Sequence, residues 1–123
     1  MRAHAHAIEP KGNGATQQTF DGPGLVCGEA FGLMLKPGEH LTRRDFGIDF
    51  LVYYIEGPGG PFTLYEGNAP QPHDDEIRTG LSFPSVIAIH DNRNSSEKRL
   101  SRIKNRLLVG VRRTAMCGKR AAA

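Results

Sequence analysis

Tryptophan is absent from this 123-residue chain, and its last aromatic residue is Phe83. The C-terminal third therefore offers no ring on which a nucleic-acid base can stack, which counts against single-strand or RNA recognition there. Thiols are scarce as well: Cys27 and Cys117, each followed by glycine, are the only cysteines. With no C-x-x-C spacing, a zinc knuckle or a dithiol redox centre is excluded. One long-range pair suits a structural disulfide in an oxidising compartment, the alternative being two buried free thiols. Long apolar runs are also missing. Nothing approaches the roughly 18 consecutive apolar residues of a membrane-spanning helix. Acidic residues all but vanish at the end of the chain, where residues 92–123 hold ten Lys or Arg and one Glu, against six basic and twelve acidic residues in 1–91.

What the chain has in quantity is glycine and proline, 15 and 8 residues. They fall between alternating apolar runs, the pattern of a turn-rich antiparallel β protein. A chain of this length forms one domain and buries about two-thirds of its unfolded surface, few enough contacts that a covalent clasp matters. Residues 1–22 are polar and read as a flexible lead-in, 23–119 as a single β domain and 120–123 as a tail.

Within the β domain the first strand is expected over 25–35, with Leu25, Cys27, Phe31, Leu33 and Leu35 on one face. Lys36-Pro37-Gly38-Glu39 places proline and glycine as a type II turn requires. The next strand is expected over 41–56, with Phe46, Ile48, Phe50, Val52 and Tyr54 sharing a face, and residues 51–55 apolar on both. Further strands are expected over 61–66 and 82–90. Leu100, Ile103 and Leu107 follow helical spacing behind a Ser95 or Ser96 cap, so a short helix near 96–106 is expected, then a strand through Leu107, Val109 and Val111 to Cys117. The sum is an all-β or mainly β fold, a small antiparallel barrel or sandwich of about five or six strands, with both cysteines on one interior face.

Chemistry-bearing residues give weaker signals. His73, Glu76 and His90 are the candidate metal ligands, but neither H-E-x-x-H nor a Cys/His knuckle occurs. No G-x-S-x-G elbow surrounds any serine, and bonded cysteines supply no thiolate. No cofactor is implied. Arg99, Arg102, Lys104 and Arg106 form a candidate anion-binding segment, since charge divided so unevenly along a chain invites an anionic partner. Tyr65, Asn68, Asp74 and Asp75 form the candidate partner surface: tyrosine offers contact area with a polar handle, and the neighbouring prolines stiffen the loop. Tyr53 and Tyr54 read as strand fillers.

The run over 35–57, with Pro37-Gly38-Glu39-His40 between two strands and Glu56-Gly57 closing the second, resembles the cupin family over about a fifth of the chain. Arg43, Arg44 and Asp45 stand where the family's H-x-H ligands are expected, so the resemblance implies a β-barrel and carries over no metal site.

The N-terminal Ala3-His4-Ala5-His6-Ala7 contains overlapping A-x-A patterns of the kind signal peptidases cut, with no apolar region before them. The expectation is a periplasmic or secreted protein whose signal sequence lies upstream of Met1 and whose mature end falls near His6 or Ile8. The resulting reading is an exported, disulfide-stabilised, non-catalytic binding module whose partner is another protein or an envelope component. The alternatives are a metal-binding cupin-like barrel with enzymatic potential, and a binder of anionic surfaces or nucleic acid through the basic C-terminal segment.

Overall fold

The computed structural model describes residues 1–11, 15–28, 31–46, 50–58, 61–67, 77–78, 86–90 and 97–118. In chain order the elements are β1 (His4–Ala5), β2 (Glu9–Pro10), β3 (Thr16–Asp21), β4 (Gly24–Cys27), β5 (Gly32–Leu35), β6 (His40–Asp45), β7 (Phe50–Glu56), β8 (Phe62–Gly67), β9 (Ile77–Arg78), β10 (Val86–His90), α1 (Glu97–Arg106), β11 (Leu107–Leu108) and α2 (Gly110–Cys117). They build a mainly β sandwich, not a closed barrel. The large sheet runs β1-β3-β6-β7-β8-β10-β9, with β2 on β3, and the small sheet runs β11-β5-β4. Every strand pair in both sheets is antiparallel.

The core lies between the sheets. Val26, Leu33, Leu35 and Leu107 from the small sheet meet Leu41, Tyr53, Ile55, Phe62 and Leu64 from the large one, with Phe31, Ala3 and Ile103 closing the edges. Phe31 packs edge-on against Tyr53 with ring centroids 4.9 Å apart, the arrangement favoured by the opposed signs of ring face and ring edge. Two corners carry the chain from sheet to sheet. The first is the cis Gly22-Pro23 bond between β3 and β4, and the second is the Lys36–Glu39 turn between β5 and β6. In that turn Glu39 N–H donates to Lys36 O at 3.0 Å and Gly38 has φ of 85°, so the type II reading holds. The corners are joined by Gly22 N–H donating to Glu39 O at 2.9 Å.

Several sequence expectations change here. The strand expected over 25–35 is the hairpin β4–β5, reversing where Gly28 N–H donates to Phe31 O at 2.7 Å. The reversal shifts the phase. Val26 pairs with Leu33 while Cys27 pairs with Gly32, so Cys27 lies on the opposite face from the core residues Leu33 and Leu35. The strand expected over 41–56 is likewise a hairpin, β6–β7, in which Asp45 pairs with Leu51. Its buried face is also the other one: Tyr53 and Ile55 are fully buried beside Leu41 and Leu64, and Val52 and Tyr54 turn outward. A segment apolar on both faces gives periodicity nothing to choose between, and the packing partners decide.

The helix expected near 96–106 is present as α1, but the strand expected to follow it lasts only two residues. Gly110, at φ of 58°, then opens α2, which carries Cys117. Cys27 and Cys117 form a disulfide across a sequence separation of 90. It sits where a Cβ on Gly32 would meet Cys117 Sγ, on the small-sheet face that α2 covers and not inside the sandwich. The stretch read as a lead-in also contributes structure. Its strand β3 is paired with β6 over six residues, and its polar composition follows from having one side in water. The first residues join both sheets: His4 pairs with Asp21 of β3, while Ala3 N–H donates to Leu25 O at 3.0 Å and Leu25 N–H donates to Met1 O at 2.9 Å. A chain starting at His6 or Ile8 would lack Ala3, which is buried in the core.

Candidate functional site on the outer face of the large sheet

Alternation along β3, β6, β7 and β8 sends every second residue away from the core. The register stacks these outward residues into rows across the strands. Asp21, His40 and Glu56 form one row with His4, Thr19, Thr42, Tyr54 and Thr63 the next, and Gln17, Arg44, Val52 and Tyr65 a third. Gln17, Thr42, Arg44, Val52, Tyr54 and Glu56 line a groove of about 400 Å³ on this face. Its floor offers a hydroxyl, an amide, a guanidinium, a carboxylate and a phenol, with one aliphatic side chain. Arg44 Nε donates to Gln17 Oε1 at 3.1 Å, fixing both side chains across neighbouring strands.

At the end of the groove nearest Glu56, one carboxylate ties β3 to β6 and to the residue that follows β1. His6 Nε2 donates to Asp21 Oδ2 at 2.7 Å, and His40 Nδ1 donates to Asp21 Oδ1 at 2.5 Å. The ionised carboxylate is an acceptor only, so each imidazole presents its N–H to it. The hydrogen bond from His6, then that from His40, holds the Asp21 carboxyl below its ordinary value. His4 stands edge-on to His6, ring centroids 5.0 Å apart. Among the described residues no group of three or more His, Cys, Asp or Glu side chains is arranged to hold a metal ion.

Of the sequence-derived partner residues, Tyr65 lies on this face, directly across from the groove residue Val52. Asn68, Asp74 and Asp75 lie outside the described residues, as do His73 and Glu76 of the candidate metal set. His90 ends β10, paired with Ile77. Tyr53 and Tyr54 part company. Tyr53 is a core residue whose hydroxyl donates to Glu66 Oε1 at 2.8 Å, and both groups rest against Gly28, where a Cβ would come within 3.0 Å of each. Tyr54 lines the groove.

The basic segment divides too. Arg106 is committed to Glu39, and Arg102 and Lys104 are exposed on α1 together with Lys98. Arg99 belongs to α1 as well. The residues that sequence reasoning missed are Gln17, Thr42, Arg44, Glu56 and the His6–Asp21–His40 tie. Their signal was the polar phase of β6, with His40, Thr42 and Arg44 two apart, which becomes meaningful only once β3 and β7 flank it. No protein-family profile, curated protein or solved structure matches this chain.

Proposed function

We propose that the protein is an exported, disulfide-stabilised, non-catalytic binding module that holds a protein or an envelope component across the outer face of its large sheet. The observation that carries this reading is the groove of about 400 Å³ lined by Gln17, Thr42, Arg44, Val52, Tyr54 and Glu56, with Tyr65 alongside. Hydrogen-bonding groups held on paired strands lose little freedom when a partner docks, and a tyrosine adds contact area at low entropic cost. The disulfide supports the extracytoplasmic part of the reading, because such bonds persist where the surroundings are oxidising.

The test uses the oxidised full chain, immobilised and exposed to an extracytoplasmic extract, beside the variants Arg44→Glu and Tyr65→Ala. Both variants are expected to keep stability within about 0.5 kcal/mol of the parent, as substitutions away from the core do, and to lose at least half of any specifically retained partner. Undiminished retention by both variants would place recognition elsewhere on the molecule.

A further inference from the structure

The two C-terminal helices present cations to solvent. In α1, Ile103 is buried and Arg106 turns to Glu39, which leaves Lys98, Arg102 and Lys104 exposed. In α2, Arg113 is buried, with its Nε and Nη2 donating to Gly28 O, while Arg112 faces solvent. Among the described residues none of these four exposed cations has an ion-pair partner. Their setting is unusual in a second respect. Val111 is 87% exposed and Met116 49%, the apolar side chains left in water on a helix that has an interior to bury them in. With Arg113 and Cys117 pointing inward, the helical repeat puts Val111 on the outward ridge with Ala115, and Arg112 next to it with Met116. The helix is held rigidly in this orientation by the Cys27–Cys117 disulfide and by the Arg113 hydrogen bonds to the β4 end.

Exposed aliphatic side chains beside Arg112 on α2, on a chain whose other C-terminal helix exposes three further cations, match a surface that is negative outside and apolar just beneath. A second copy docked by the same two helices is a poor occupant, since it would bring like charge against like. A nucleic acid would satisfy the cations but leave Val111 and Met116 in water, and no aromatic residue follows Phe83 to stack on a base. We propose that α1 and α2 form a docking surface for an anionic lipid bilayer, with Lys98, Arg102, Lys104 and Arg112 on the headgroups and Val111 and Met116 entering the headgroup–acyl boundary. This surface is separate from the groove: α2 packs on the small sheet, and the groove lies on the far side of the large one.

The experiment is cosedimentation of the oxidised full chain with vesicles of phosphatidylcholine alone or with phosphatidylglycerol added. Binding is expected only to the mixed vesicles, and is expected to collapse as salt rises from about 0.05 to about 0.5 M. Each cation removed should lower partitioning about fivefold, so Arg102→Gln/Lys104→Gln and, independently, Lys98→Gln/Arg112→Gln each lose about 25-fold. Val111→Ser should lose about fivefold, while Arg44→Glu, in the groove, keeps full binding. All substituted positions are exposed, and unchanged thermal unfolding confirms that each variant folds. Absent or equal binding to the two vesicle types overturns the proposal. So does full vesicle binding by Val111→Ser together with equally tight binding of duplex DNA, which would show a general preference for polyanions.

Discussion

Glu39 shows how one residue fixes the relation of three elements. It ends the corner between β5 and β6 at 3% exposure, where its carboxylate accepts the Lys36 N–H at 2.7 Å and Arg106 through both of its oxygens. Burial pushes its carboxyl up, yet the hydrogen bonds from Arg106 and Lys36, with the charge of Arg106, outweigh burial and hold it below its ordinary value. Arg106 also donates to Met34 O at 3.1 Å and lies 5.6 Å above the Phe62 ring, so the last turn of α1 is bound to a strand of each sheet. Breaking a buried pair by removing one partner costs more than the pair gains, because the remaining charge stays desolvated. Glu39→Gln is therefore expected to destabilise the protein by about 3 kcal/mol in urea unfolding, with Arg106→Met in the same chain recovering part of the loss. A change below about 0.5 kcal/mol would show that the corner holds without the ion pair.

At the scale of elements, the His6–Asp21–His40 tie links the residue after β1 to β3 and β6 on an exposed face, and its stabilising effect depends on pH. Because the folded protein holds the Asp21 carboxyl below the 3.8 of an unperturbed aspartate, the contribution is complete above that value and disappears as pH falls through the lower, folded one. Asp21→Asn should accordingly flatten the acid limb of a melting-temperature profile below about pH 4, and speed amide exchange at His6 and Ala5 at neutral pH. An acid limb of unchanged slope in that variant would assign the pH dependence to other carboxylates, Glu39 first. The strands that carry this tie were only partly legible. Alternation revealed β6, β7 and β8 as β structure, but it ran unbroken through the β6–β7 reversal, since cross-strand partners such as Asp45 and Leu51 share both parity and face. Strand β3 was hidden by its composition: Thr16-Gln17-Gln18-Thr19 reads as unstructured until β6 supplies its partner. The turn at Lys36–Glu39 was legible because proline and glycine act locally. The groove was not, because it belongs to three strands at once.

At the scale of the whole molecule, the disulfide was legible as a pair and not as a place. Two cysteines with no near neighbours are readily read as a clasp, but which face they share depends on Cys117 standing at the end of a helix and not in a strand. The difference changes what the bond does. A clasp inside the sandwich would hold the two sheets together. The bond observed fastens α2 to the outside of the small sheet at β4, with Arg113 donating to Gly28 O one residue beyond Cys27. Together they carry the C-terminal segment back to the β4–β5 hairpin. The sheets themselves are joined by other means: the corners at Gly22-Pro23 and Lys36–Glu39, the first residues bridging β3 and β4, and the apolar core. Cys27→Ala/Cys117→Ala is therefore expected to cost about 4.5 kcal/mol, the chain-entropy value for a loop of this length, while leaving the sandwich able to form. That cost is global, because it arises in the unfolded chain, and a local one adds to it where α2 is released from the small sheet. Amide protection should fall first in α2 and β11 and least in β6, β7 and β8, with Leu41 and Leu64 still packed. Equal loss of protection in every element, with no extra loss in α2, would show that α2 stays docked without the bond and that the clasp acts only through the unfolded chain it closes.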